Sequence, residues 1–373
     1  MDASVPDGPA TAEHSPYVTY ALLTVLIGVF FVEVTNGIGF PTGMLEPTIA
    51  TLIAMGGLHR QFVDQGEWYR LISATFLHGS ALHLLMNGIV LFWAGRLLER
   101  TIGHAWFAAI YAISGLGGSL MSLAVNTDGV SIGASGALMG VVAACLVCSF
   151  RFPAGELRQR LQSVAWQVLI PSLLPLASTA KGMKVDYGAH IGGAIGGAVA
   201  ALAMLPLWQP KEAVPRLRGV AAAMACIWFV AAAAAPVFIV PTFITAKHEA
   251  DLRAQLIPEN QIPKGRAAEI ANSDRLTIGY PHDPRSHLYS AYKFEAQGDW
   301  QQTASALRAA LAQEDMLKTL WPAAFEDSLR NWLVDILQQH GQQSEAREVA
   351  KPSCAHVKQT TDAALAQLRR ACG

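Results

Sequence analysis

Seven apolar stretches, at roughly 17–36, 80–98, 105–125, 135–150, 162–179, 187–206 and 219–244, constrain this chain more than any other feature. A helix needs about 20 apolar residues to cross the roughly 30 Å hydrocarbon layer of a bilayer. Inside lipid, every backbone N–H and C=O must be satisfied within the protein, and a helix does so within one segment. The expectation is an all-α membrane protein. Composition agrees: 15% of residues are charged and the mean hydropathy is +0.31, against roughly 25% charged in soluble domains. The formal net charge of −1 gives no reason to expect a nucleic-acid partner. The first and last stretches are the most apolar. The middle ones are rich in Gly, Ala and Ser, the composition of helices that pack closely on each other.

Basic residues set the expected orientation. Arg96, Arg100, Arg151, Arg158, Arg160, Lys211, Arg216 and Arg218 fall in one set of connections, and Arg60, Arg70, Lys181 and Lys184 in the other, eight against four. The positive-inside rule then puts the N-terminus in the cytoplasm, and seven spans put the C-terminus outside. Residues 1–16 carry no Lys or Arg and no clear cleavage site follows, so the first stretch reads as an uncleaved span. A multi-pass protein of the cell (inner) membrane is expected.

Along the chain, an N-terminal tail (1–16) precedes a six-span core (17–206). A linker and seventh span (207–246) and a soluble helical segment (247–373) follow. The core holds a long first connection, 37–79, with the run Glu67-Trp68-Tyr69-Arg70. Connections of that length are usually functional, although Trp and Tyr also serve as interfacial anchors. Pro258, Pro263, Pro281 and Pro284 suggest an irregular linker, followed by two amphipathic helices meeting at Gly298-Asp299. That pair weakly resembles one tetratricopeptide hairpin, and no partner for it is implied. Cys145, Cys148 and Cys226 lie in apolar runs and read as small buried side chains; no metal site or cofactor is expected. Cys354 and Cys372 would face an oxidising space and could pair. One straight helix between them would hold their ends about 24 Å apart, beyond the roughly 7 Å that a disulfide spans, so pairing requires a break.

Three polar clusters interrupt the apolar stretches, where such residues are costly. Gly133-Ala-Ser135-Gly136 opens the fourth stretch. A serine at a helix start lies beside free backbone N–H groups that can hold an oxyanion, but alone the motif is better explained by capping and packing. Ala189-His190-Ile-Gly-Gly193-Ala-Ile-Gly-Gly197 lies in the sixth. Gly193 and Gly197 make a smooth face like that of Gly136 and Gly140, and packing the two faces would bring His190 to Ser135. Imidazole can take the hydroxyl proton near neutral pH; alone, the histidine also fits a packing role or a proton path. His78-Gly-Ser-Ala-Leu-His83-Leu-Leu-Met-Asn87 opens the second. His83 and Asn87 share a helix face and form either a pair of oxyanion donors or an interhelical hydrogen-bond pair.

Taken together, a donor pair, Gly-x-Ser-Gly and His-x-x-Gly-x-x-x-Gly on spans two, four and six resemble the rhomboid family of intramembrane serine proteases. Glu67-Trp-Tyr-Arg70 and Gly95-Arg-Leu-Leu-Glu99-Arg-Thr-Ile-Gly103 add to the resemblance, which covers residues 17–206. It implies a six-helix bundle, here with a seventh transmembrane helix and a small soluble tail. It also implies a dyad of Ser135 as nucleophile and His190 as base. His83, Asn87 and the backbone N–H of Ser135 would form the oxyanion hole. Gly133, Gly136, His78, Gly193 and Gly197 would be supporting residues, with neither metal nor cofactor. Transmembrane proteins in the bilayer would be the substrates. Some members carry Tyr four residues after the serine, where this chain has Met139. Asp186, four residues before His190, reads as the N-cap of the sixth span, with a triad role as the alternative. A non-catalytic relative that binds other transmembrane segments is the main rival function, and a transporter relaying protons through its histidines is a second.

Overall fold

The structure, a computed structural model, describes residues 15–39, 43, 45–126, 128–174, 185–209, 212–359 and 362–373. Most of the expected N-terminal tail, Lys181, Lys184, Lys211 and the end of the fifth stretch lie outside these residues. The chain divides into two compact units, Met1–Ala246 and Lys247–Gly373.

The first unit is all helical. Helix α1 (Tyr17–Thr35) is followed by three short helices in the long connection: α2 (Ile49–Ala54), α3 (Arg60–Asp64) and α4 (Arg70–Ser73). The second span consists of α5 (Ala81–Val90), a wide turn at Leu91–Gly95 and α6 (Arg96–Ile102). Then come α7 (His104–Val125), α8 (Ser135–Ser149), α9 (Glu156–Leu173), α10 (Tyr187–Met204) and α11 (Arg218–Arg253). Among the described residues five helices are long and apolar enough to cross a membrane: α1, Ala81–Ile102, α7, Tyr187–Leu207 and α11. Helix α8 is apolar but shorter. Helix α9 starts earlier than expected, at Glu156, and its first turns carry Arg158 and Arg160. Large apolar side chains such as Leu85, Ile89, Trp93, Ile195 and Val199 are exposed, as lipid-facing residues are in a protein taken alone. Cys226 belongs with them. It is exposed on α11 rather than buried, whereas Cys145 and Cys148 are buried free thiols of α8.

The bundle is built around α7, α8 and α10, which meet through small residues. A Cβ added to Gly193 would fall inside the carbonyl oxygen of Gly136, and one on Gly197 inside that of Gly140. A Cβ on Gly117 would lie 2.9 Å from the Gly192 carbonyl. Lipid removes most of the hydrophobic drive for helix association, so this close contact is what van der Waals cohesion requires. Buried polar ties fasten the periphery. Glu99, fully buried, accepts hydrogen bonds from the backbone N–H groups of Val18 (2.9 Å) and Thr19 (2.8 Å) and from Thr19 Oγ1 (2.6 Å). These bonds anchor the first turn of α1, whose N–H groups have no partner within the helix.

The long connection is folded inward rather than lying as a simple surface loop. Arg70 is 1% exposed; it pairs with Glu67, donates to the carbonyls of Ile53 (2.6 Å) and Gly57 (2.8 Å) and lies 4.4 Å from the centroid of the Phe62 ring. It is therefore a core charge of the connection, while Trp68 beside it remains exposed. Helix α11 packs on the same connection, with Phe238 stacked on Tyr69 at 5.6 Å.

The second unit comprises α12 (Arg266–Gly279), α13 (Pro284–Ala296), α14 (Trp300–Leu311), α15 (Glu314–Leu320), α16 (Ala323–Gln339), α17 (Gln343–Ala350), α18 (Cys354–Val357) and α19 (Ala366–Ala371). One expectation needs correction, and one question the sequence left open is answered. The proline-marked stretch is not one irregular linker, because α12 forms within it and Pro284 occupies the first turn of α13, where a missing N–H costs nothing. Cys354 and Cys372 do form a disulfide, with Cα atoms 5.5 Å apart. The chain between them is broken into α18 and α19, so the straight-helix separation does not arise. Helices α13 and α14 meet at Gly298 (φ +76°), and Asp299 caps α14 through the Gln302 N–H.

Closing a loop of this length removes about 3 kcal/mol of unfolded-chain entropy. Replacing both cysteines with serine should therefore lower the denaturation midpoint of the second unit, followed by tryptophan fluorescence in the full chain. No change would mean that the bridge contributes nothing.

Candidate active site

The residues singled out by the sequence gather at one end of the bundle, opposite the end that carries Arg96, Arg100 and Arg151. Ser135 is the first residue of α8. The first bond within that helix runs from the Leu138 N–H to Ala134 O (3.0 Å), so the N–H groups of Ser135, Gly136 and Ala137 lie ahead of it. The approach to Ser135 is held at three points. Ser131 and Leu58 exchange backbone hydrogen bonds of 2.8 and 3.0 Å, and the Gly133 N–H donates to Ala74 O (2.9 Å). Gly133 has φ +112°, a conformation that L side chains rarely adopt. A Cβ there would lie 2.8 Å from Nε2 of His83 and 3.5 Å from Nδ2 of Asn87. Both expected donors therefore flank the backbone two residues before Ser135.

Asn87 and His83 belong to α5, capped by Ser80, whose hydroxyl accepts the His83 N–H (3.1 Å). Nδ2 of Asn87 lies 3.0 Å from Nε2 of His78, and Nδ1 of His78 lies 3.2 Å from Phe76 O. A carbonyl only accepts, so Nδ1 of His78 carries the proton and Nε2 accepts from the Asn87 amide. The His78 ring also meets the His83 ring edge-on at 5.0 Å. His78 is thus hydrogen-bonded to the Asn87 carboxamide and fixes which way it faces.

His190 lies in the first turn of α10, next to Ala189, whose carbonyl oxygen is 3.1 Å from where a Cβ on Gly136 would stand. The immediate neighbours of Ser135 and His190 are therefore in contact, although no hydrogen bond joins the two side chains among the described residues. Nδ1 of His190 lies 2.8 Å from the Ser172 carbonyl. That carbonyl is among the last four of α9, which lack helical partners, so it is free to accept. The bond places the proton of the neutral ring on Nδ1 and leaves a lone pair on Nε2. Met139 is buried in the core, and the aromatic neighbour of His190 is Tyr187, edge-on at 6.5 Å.

Asp186 caps α10. It accepts the Ala189 N–H (2.9 Å) and the Ser122 hydroxyl (2.5 Å), and it makes no hydrogen bond to the His190 ring. Sequence reasoning missed Ser172, because a carbonyl carries no side-chain signature. It also missed Glu33, the one charge in α1, which was legible: an ionisable residue inside a span is itself a signal.

With the site on the page, its relatives are informative. A sequence model of the Rhomboid domain matches residues 65–207. RHOMBOID-like protein 5 of Arabidopsis thaliana is 40% identical over 41% of this chain and 50% of its own length. Rhomboid protease GluP of Bacillus subtilis is 31% identical over 51% of this chain and 35% of its own. Rhomboid protease AarA of Providencia stuartii is 30% identical over 50% of this chain and 72% of its own. The fold and these matches define an integral, multi-pass, all-α membrane protein. The chain belongs to the rhomboid family. It spans half or less of the length of the first relatives, GluP and RHOMBOID-like protein 5 among them.

If Asp186 acts as a cap, Asp186→Ala should cost about 1 kcal/mol and Asp186→Ser a few tenths. Thermal unfolding in detergent measures both; equal losses for Ala and Ser would contradict capping.

Proposed function

We propose that the chain is an intramembrane serine endopeptidase that cleaves transmembrane segments by acyl transfer, with Ser135 as nucleophile and His190 as general base. The observation that carries the reading is the contact between Gly136 and Ala189, at the foot of the α8–α10 seam, together with the Nδ1 bond of His190 that leaves Nε2 able to accept a proton. Nε2 takes the Ser135 hydroxyl proton as the oxygen attacks a peptide carbonyl. The tetrahedral oxyanion is held by His83, the second amide hydrogen of Asn87 and the Ser135 N–H. His190 then passes its proton to the leaving amine, and water releases the acyl-enzyme.

Helix α8 runs from Ser135 to Ser149. At about 1.5 Å per residue it covers roughly 22 Å of the roughly 30 Å layer. Its start therefore lies below the membrane surface when its Arg151 end sits at the opposite boundary. The non-helical approach at 128–134 is tolerated there because it pairs with the inward-folded connection. A substrate helix must unwind to present a carbonyl, which favours segments with small or helix-breaking residues. The basic end faces the cytoplasm by the positive-inside rule, so the site and the C-terminal unit face outward. The disulfide Cys354–Cys372 supports an oxidising surrounding for that unit.

With a tagged single-span substrate, wild type should yield a cleaved fragment. Ser135→Ala and His190→Ala should each reduce it at least about 1,000-fold at equal protein level. A fluorophosphonate should label wild type and not Ser135→Ala. Cleavage that survives in Ser135→Ala would end the proposal, and absent cleavage and labelling in wild type would favour a non-catalytic binder of transmembrane segments.

A further inference from the structure

We infer that Glu33 of α1 is a positioning residue for oxyanion stabilisation, acting through His78 on the carboxamide of Asn87. The inference rests on the proteolytic reading above and extends it to the first span, which lies outside the matched Rhomboid domain, residues 65–207.

Glu33 is the one charged residue of α1 and is fully buried. Among the described residues both carboxyl oxygens face a single donor, the backbone N–H of His78, at 3.3 and 3.1 Å. A carboxyl group can take part in several hydrogen bonds, so a single shared donor leaves much of its capacity unused, and burying such a polar group in a span is costly. An apolar residue would pack α1 against the bundle at lower cost. The acid instead fixes one backbone atom, and that atom begins a short path into the site.

The path runs along residues 74–78. At one end, Ala74 O accepts the Gly133 N–H (2.9 Å) and so holds the approach to Ser135. At the other end, the Glu33 carboxylate holds the His78 backbone. Between them, Phe76 O orients the His78 ring, and Nε2 of that ring accepts from Asn87 Nδ2 at 3.0 Å. His78 follows Leu77, an extended residue, and precedes Ser80, the cap of α5. Without the Glu33 bond, the His78 backbone has no other restraint from α1 among the described residues. A shift of the ring would turn the Asn87 amide away from the oxyanion position. Donor placement of this kind affects the transition state more than the bound substrate.

The test uses the purified full chain in liposomes with a transmembrane substrate. Glu33→Leu should lower kcat about 10-fold or more with KM within about twofold, the pattern for a contact made only in the transition state. Glu33→Gln should stay within about threefold of wild type, because its amide oxygen still accepts the His78 N–H. In an Asn87→Ala background, Glu33→Leu should change kcat less than about twofold, since residues that act as a unit are not additive. Should Glu33→Leu fail to accumulate, Glu33→Asp, with its shorter arm, takes its place in the same cycle. An unchanged kcat, an effect confined to KM, or the same fold-loss with and without Asn87 would overturn the inference. Failure of the parent reading is distinct. It would appear in wild type itself, as absent cleavage and absent labelling of Ser135, and would remove the inference with it.

Discussion

Backbone contact among α7, α8 and α10 is the constraint on which the rest of the first unit depends. In a bilayer, moving an apolar side chain from lipid to a helix interface changes its surroundings little, so burial cannot hold helices together as it does in water. What remains is dispersion, which falls off steeply with distance, and polar bonds. Glycines at 117, 136, 140, 192, 193 and 197 let three backbones approach to a range that any side chain would prevent. Both residues proposed for catalysis stand at the edge of this seam, one on each of two helices, so their spacing is set by backbone contact rather than by flexible side chains.

The other elements are fastened to that centre by buried polar groups, each tying together segments distant in sequence. Glu99 holds the start of α1, and Asp186 joins the start of α10 to Ser122 of α7. Arg70 gathers the first connection around itself, using its donors on the carbonyls of Ile53 and Gly57. A charge buried in this way is costly without such partners. The same cost makes each partnered charge a precise fastening, because the bond has no aqueous alternative. The first connection thereby becomes part of the wall of the site, where Leu58 pairs with Ser131 and Ala74 receives Gly133.

Much of this was legible in the sequence. The apolar stretches marked α1, α7, α10 and α11 closely, because a long helix in lipid must be apolar along its length. The serine, histidine and donor-pair clusters were visible because polar residues are rare in such stretches. Legibility failed where structure depends on backbone atoms or on partners remote in sequence. The Ser172 carbonyl that orients His190 has no side-chain signal. The wide turn at Leu91–Gly95 and the break between α18 and α19 each depend on what packs against them. Helix α12 was hidden by the prolines on either side, one of which starts the next helix rather than ending order. Cys226 was misjudged because an apolar run reads the same whether it faces protein or lipid.

The amino-acid sequence by itself determined that this is a helical membrane protein, which residues inside it are polar, and which faces are smooth enough to meet. Those properties are local: hydropathy, side-chain size and residue type along a few turns. Tertiary structure decided that Gly136 meets Ala189, that the His190 ring is held by a helix end, that Glu33 reaches His78 and that Cys354 finds Cys372. Each of these contacts joins two segments whose separation depends on the packing of everything between them, and no local pattern carries that distance.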